Sequence, residues 1–163
     1  MGRTITWLYD IFERSAEAPT DGDGFLKGLV TAPTQADREP IQPASERVGH
    51  LWETQVVARI VDAGYPSAMV RTVRGRVQQT LPGSAPERIA LLRLDTDYFD
   101  STLHELEHLY PRLAPGGVLL VDDFGRLDGA TQAARQYFAR HAAPPMLHRI
   151  GPQGCVAIKG PEA

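Results

Sequence analysis

Four aspartates stand where strands should end. Asp95 and Asp97 follow the apolar run Ile89–Leu94, and Asp122 and Asp123 follow Val118–Val121. A helix and a Pro-Gly-Gly turn separate the two runs, and strands joined by a helical crossover lie parallel, with their carboxyl ends side by side. That rim is where open α/β sheets bind ligands, so Asp95, Asp122 and Asp123 can converge on one small volume. Carboxylates crowded together need a cation or a proton, and hard oxygen ligands favour Mg²⁺, with Mn²⁺ or Ca²⁺ as alternatives, over zinc. The plainer reading makes the same acids helix caps and strand-end polar residues. Asp97, two residues beyond Asp95, is expected to point the other way and to fix the turn.

Other residues compete for a chemical role. His104-Glu105-Leu106-Glu107-His108 fits the zinc-peptidase pattern on a helix. With an expected core stripe of Leu103, Leu106, Tyr110 and Leu113, however, both histidines fall on the solvated face without a third ligand. Cys155 lies in an apolar strand and reads as a small buried side chain. Asp10 ends the run Ile5–Tyr9, where an acid either caps the strand or takes ribose hydroxyls in nucleotide-type folds.

The elements that must position these residues alternate along the chain. Ile5–Tyr9 reads as a buried strand. Residues Glu13–Ser45 are rich in Pro, Gly, Asp, Thr and Ala, and read as a long loop (14–45), either a lid or a disordered segment, with room for a short helix around Phe25–Val30. Ser45 can cap a helix running to about Ala63, with Val48, Leu51, Trp52, Val56 and Ile60 at helical spacing and Gly64 as its stop. Met69–Val73 is the next strand, closed by Gly75. After Ile89–Leu94 a helix begins at Asp100-Ser101-Thr102, where Thr102 and Glu105 have capping-box spacing. A helix over about Ala130–His141 carries Ala133, Ala134, Tyr137 and Phe138, and MLHRI, a GPQG turn and CVAIK close the chain as an antiparallel hairpin. This pattern is that of a single α/β domain over residues 1–163, mostly parallel with a C-terminal antiparallel hairpin.

Composition narrows the function classes. A chain of 163 residues with 42% hydrophobic side chains can bury one good core. A formal net charge of −3 and a pI near 5.9 offer no basic patch, so neither nucleic acid nor an anionic membrane is an expected partner. No apolar run reaches membrane-spanning length. One cysteine suits a reducing, cytoplasmic setting.

The run IALLRLDTDYFDSTLHELEHLYPRLAPGGVLLVDDFG closely resembles the corresponding stretch of the macrocin O-methyltransferase (TylF/MycF-type) family. YDIFE, APTDGD, DAGYP, VRGRVQQTLP and RIGPQG resemble family segments in the same order, so the likeness covers most of the chain apart from the Gly24–Arg47 loop. It implies a Rossmann-like, S-adenosylmethionine-dependent O-methyltransferase acting on a sugar hydroxyl or similar group of a natural product. It also implies Mg²⁺ held by Asp95, Asp122 and Asp123, with Asp10 at the cofactor. Gly75 is a second candidate cofactor residue, and Asp95, closest to both metal and substrate, is the candidate carboxylate that accepts the hydroxyl proton, with a path to solvent as the alternative.

In relatives a strand ending in a glycine-rich cofactor loop precedes YDIFE, whereas only Met1–Thr4 precede Ile5–Tyr9 here. The expectation is therefore a sheet truncated at its N-terminus, in which Ile5–Tyr9 and Ile89–Leu94 pair with each other or leave a gap, exposing apolar edges and favouring a homo-oligomer. The alternative function is a non-catalytic methyltransferase remnant that serves as a binding module or partner subunit.

Overall fold

A computed structural model describes residues 4–10, 12, 46–125 and 128–161, and the side chains of 46–52 and 128 are not among those described. The Glu13–Ser45 loop, its helix around Phe25–Val30, the Ser45 cap and the side chains of Val48, Leu51 and Trp52 lie outside the described residues. The chain divides into two compact units, one reaching Thr80 and the other running on from Leu81.

In the first unit β1 (Thr6–Asp10) and β2 (Val70–Arg74) form a parallel pair, with Thr6 opposite Val70 and Asp10 opposite Arg74. Parallel strands need a long crossover, and α1 (Glu46–Asp62) belongs to it. The helix stops where the sequence places its stop. Gly64 adopts a φ of +94°, and the Tyr65 and Gly64 amides donate to the carbonyls of Ile60 (3.2 Å) and Val61 (2.8 Å), the paired bonds that close a helix on a left-handed glycine. A 3-10 turn, Ser67–Met69, leads into β2, and α2 (Val77–Thr80) follows it.

The second unit carries β3 (Ile89–Leu94), α3 (Phe99–Leu109), β4 (Leu113–Val121), α4 (Asp128–Phe138), β5 (His148–Arg149) and β6 (Cys155–Ile158). Its sheet runs β3-β4-β6-β5, parallel between β3 and β4 and antiparallel through the closing hairpin. The expected Pro-Gly-Gly turn is part of β4 instead. The ladder to β3 shifts register between Ile89 and Leu91, and the Gly116 amide bonds to the Lys159 carbonyl at 2.8 Å, so the two glycines make an irregularity within one strand.

Strand alternation sorts the side chains of this sheet into two faces. Leu92, Leu94, Leu119, Val121, Cys155 and Ala157 are buried, while Leu91 and Ile158 on the other face are 59% and 65% exposed. The helices α3 and α4 pack against each other, with Leu106 and Leu109 buried on α3, Ala130, Ala133, Ala134 and Phe138 buried on α4, and the ring of Tyr110, just past α3, 4.9 Å from that of Phe138. Alanine at 133 and 134 lets the helices approach closely.

Of the two outcomes expected for β1 and β3, pairing does not occur among the described residues: they belong to separate sheets. One expectation is corrected here. The helix of the second crossover begins at Phe99 behind Tyr98, so Thr102 lies inside it and forms no capping box. No described helix is long and apolar enough to cross a membrane.

Candidate active site

The aspartate rim forms at the carboxyl ends of β3 and β4. The Asp122 amide donates to the Leu94 carbonyl at 2.9 Å, carrying the parallel ladder one step further and holding Asp95 beside Asp122 and Asp123. After Asp95 the chain reverses in three residues: the Tyr98 amide bonds to the Thr96 carbonyl at 2.7 Å, a γ-turn with Asp97 at its centre and a φ of +64°. Asp123 also adopts a left-handed φ, of +51°. Such backbone is sparsely populated for residues other than glycine and persists where the surroundings impose it.

The result is a cluster. One carboxylate oxygen each from Asp95, Asp97 and Asp123 lies within 4.8 Å of the others. Asp97 thus fixes the turn as expected but points with Asp95 rather than away from it. Residues two apart share a face in extended chain, and the turn preserves that side. Asp122 is drawn to the other flank, where the Arg93 guanidinium makes an ion pair with it and another, at 2.8 Å, with Asp95.

Electrostatics follows from this crowding. Burial pushes the Asp97 carboxyl up to about 6, helped by its hydrogen bond to Asp123 and by the charges of Asp123, Asp95 and Asp122. Burial also raises Asp95, against the pull of Arg93 and with the push of Asp122 and Asp123. For Asp122 desolvation acts upward, but the Asp123 amide, the Arg93 guanidinium and a hydrogen bond with Asp95 together hold it below the usual range. Three hard oxygen donors within 4.8 Å of one another, two of them reluctant to ionise unaided, suit a cation such as Mg²⁺ better than zinc.

Beneath the rim lies a second acid. Glu105 is 5% exposed, and its Oε2 accepts the Thr96 hydroxyl at 2.9 Å. Burial pushes its carboxyl up to about 7, with the Thr96 hydrogen bond acting downward and Asp95 upward. Sequence reasoning missed Glu105, Thr96 and Arg93. The signal for Glu105 was present: Thr102, Glu105, Leu106 and Leu109 are spaced i, i+3, i+4, i+7, and that is the buried stripe of α3. The expected stripe had Leu103 in place of Glu105 and Leu109, and Leu103 is half-buried. Both histidines lie off the buried stripe and are half-buried rather than fully solvated. The His104 and His108 rings meet edge-on at 4.3 Å, and among the described residues the buried His104 Nε2 has no hydrogen-bond partner. Neither belongs to a three-ligand group among the described residues.

In the first unit Asp10 and Gly75 end adjacent strands. The Gly75 amide donates to the Asp10 carbonyl at 3.0 Å, and Asp10 Oδ1 accepts the Phe12 amide at 2.9 Å. Both residues therefore lie on the carboxyl rim of the β1–β2 pair, the edge from which parallel strands present residues to ligands. Cys155 is buried in β6, and burial pushes its thiol up to about 11, as a structural cysteine requires.

This architecture is that of a class I methyltransferase. The solved structure of the O-methyltransferase NovP matches it with a TM-score of 0.69 at 24% identity, over 96% of this chain and 60% of that one. CalS11, a calicheamicin methyltransferase, matches with a TM-score of 0.66 at 19% identity, over 96% and 61%.

Residues 26–158 match the macrocin-O-methyltransferase (TylF) family, and the chain belongs to it. It is 31% identical over 148 residues to the 8-demethyl-8-(2,3-dimethoxy-alpha-L-rhamnosyl)-tetracenomycin-C 4'-O-methyltransferase of Streptomyces olivaceus, covering 91% of this chain and 52% of that protein. To the demethyldecarbamoylnovobiocin O-methyltransferase of Streptomyces niveus it is 35% identical over 138 residues, 85% of this chain and 48% of the relative. The chain spans about half the length of these relatives.

Proposed function

We propose that the protein acts as an S-adenosylmethionine-dependent, Mg²⁺-assisted O-methyltransferase whose acceptor is a hydroxyl on a sugar or glycosylated natural product. The observation that carries this reading is the aspartate rim of Asp95, Asp97 and Asp123 in a chain of this family. The acceptor class rests on the relatives, one of which is named for methylation at the 4' position of a rhamnosyl tetracenomycin and another for mycinamicin III.

In this reading Asp95 and Asp123 would hold Mg²⁺ together with a third carboxylate, either Asp97 as the side chains stand or Asp122, the ligand implied by family resemblance, which is paired with Arg93. When bound, the metal supplies positive charge that lowers the pKa of the acceptor hydroxyl. Asp95 takes the hydroxyl proton, a role suited to a carboxyl already raised above its ordinary range. Asp10 and Gly75 hold the cofactor, Asp10 through a ribose hydroxyl and Gly75 through its backbone. The reading also includes a cytoplasmic setting and self-association through exposed apolar side chains such as Leu91.

Calorimetric titration of S-adenosylmethionine and S-adenosylhomocysteine, with and without Mg²⁺, tests it. Micromolar binding is expected, lost on Asp10→Ala, and methyl transfer to an acceptor sugar is expected to fail in Asp95→Asn and Asp123→Asn. A folded chain that binds neither ligand overturns the enzyme reading and leaves that of a binding module.

A further inference from the structure

Glu105 is a buried carboxyl that the proposed chemistry does not use. Among the described residues no cation pairs with it, and an apolar side chain would fill its place on the core face of α3 without the expense of burying a polar group. What glutamate does that leucine could not is hold the Thr96 hydroxyl, at 2.9 Å.

Thr96 opens the γ-turn. Its carbonyl accepts the Tyr98 amide at 2.7 Å and faces the Ser101 hydroxyl at 3.4 Å, and its own hydroxyl lies 3.4 Å from that of Thr102. From the other side α4 presses on the same backbone. A Cβ at Gly129 would stand 2.7 Å from the Asp97 carbonyl oxygen and 2.8 Å from the Phe99 nitrogen. A left-handed non-glycine residue at the centre of the turn relaxes unless its neighbours hold it, and here they hold it from both helices.

We infer that Glu105 is a positioning residue: through Thr96 it holds the turn that sets Asp95 and Asp97 toward Asp123. The inference rests on the metal reading of that rim for its consequence, but the restraint on the turn stands apart from any metal.

The test uses Glu105→Leu, Glu105→Gln and the nearly isosteric Thr96→Val, each confirmed folded by its thermal transition. Two measurements follow: amide exchange at Tyr98 without metal, and Mn²⁺ affinity by paramagnetic resonance. Glu105→Leu and Thr96→Val are each expected to speed Tyr98 exchange about tenfold or more and weaken Mn²⁺ binding about tenfold, on the scale that lost supporting contacts have for metal sites. The double variant should be no worse than either single one. Glu105→Gln, which still offers an oxygen to Thr96, should stay within about twofold of the parent in both.

Unchanged Tyr98 exchange in Glu105→Leu overturns the inference, whatever the metal does. Faster exchange with Mn²⁺ affinity equal to the parent's overturns it as well, because the turn would then not matter to the site. Faster exchange in a protein whose parent binds no Mn²⁺ upholds the restraint and refutes the metal reading instead.

Discussion

Asp97 ties the proposed site to pH. A carboxyl pushed up to about 6 must lose its proton before it can ligate a cation, so metal affinity should rise with pH through about 6 and level off above it. Mn²⁺ titrations at pH 5, 6 and 7.5 check this, and Asp97→Asn should flatten the profile.

Glu105 is not a ligand, and its own titration acts on stability. Its carboxyl, at about 7 in the fold against 4.5 in a free chain, binds its proton more tightly when folded. Its favourable contribution is full below pH 4.5 and is lost as pH rises to 7. Glu105→Gln, which cannot ionise, should gain about 3 kcal/mol over the parent between pH 4 and pH 8 in metal-free urea unfolding. A constant difference across that range would sink the assignment.

At the scale of elements, the rim depends on two helices meeting one turn. Gly129→Ala places a methyl against backbone atoms of residues 97–99, which cannot swing aside as a side chain could. Either α4 shifts or the turn opens, at about 1–3 kcal/mol by the usual penalty for overpacking. The expected outcome is a lower urea midpoint together with weaker Mn²⁺ binding. Ala133→Leu, on the same helix but away from the turn, should lower the midpoint by a similar amount and leave metal affinity alone. The helix α1 offers a simpler case, since Gly64→Ala forces a side chain into a φ of +94° and should cost about 1 kcal/mol without touching the rim.

Over the whole molecule, the outer face of the four-stranded sheet presents apolar side chains to solvent. Leu91 and Ile158 each stand opposite Val118 in register. Parallel strands in α/β proteins ordinarily have both faces covered, so more than half exposure at Leu91 and Ile158 is unusual. Leu91→Lys with Ile158→Lys should reduce self-association in sedimentation at least fivefold while shifting the thermal midpoint little, because neither side chain contributes much to the core.

Among the described residues the order of the strands and of the three longer helices, the strand-end aspartates, the Gly64 stop, the buried Cys155 and the closing hairpin were legible in the chain, because their signals lie in residues close together in sequence, whereas the short helix Val77–Thr80 was not. The family was legible too, through one long and specific run. The grouping of Asp97 with Asp95 and Asp123 was not, nor the Arg93 ion pairs, nor the burial of Glu105. Periodicity assigned the helix of Glu105 the stripe Leu103, Leu106, Tyr110 and Leu113, of which all but Leu103 are buried, but which arc of a helix is buried depends on what packs against it. Here the partners of α3 are α4 and the sheet, remote in sequence, and they turn Thr102, Glu105, Leu106 and Leu109 inward. Sequence alone determined which residues could do chemistry. Tertiary structure decided which of them meet, because carboxylate geometry is set by backbone turns, and those turns are held by contacts between residues far apart in the chain.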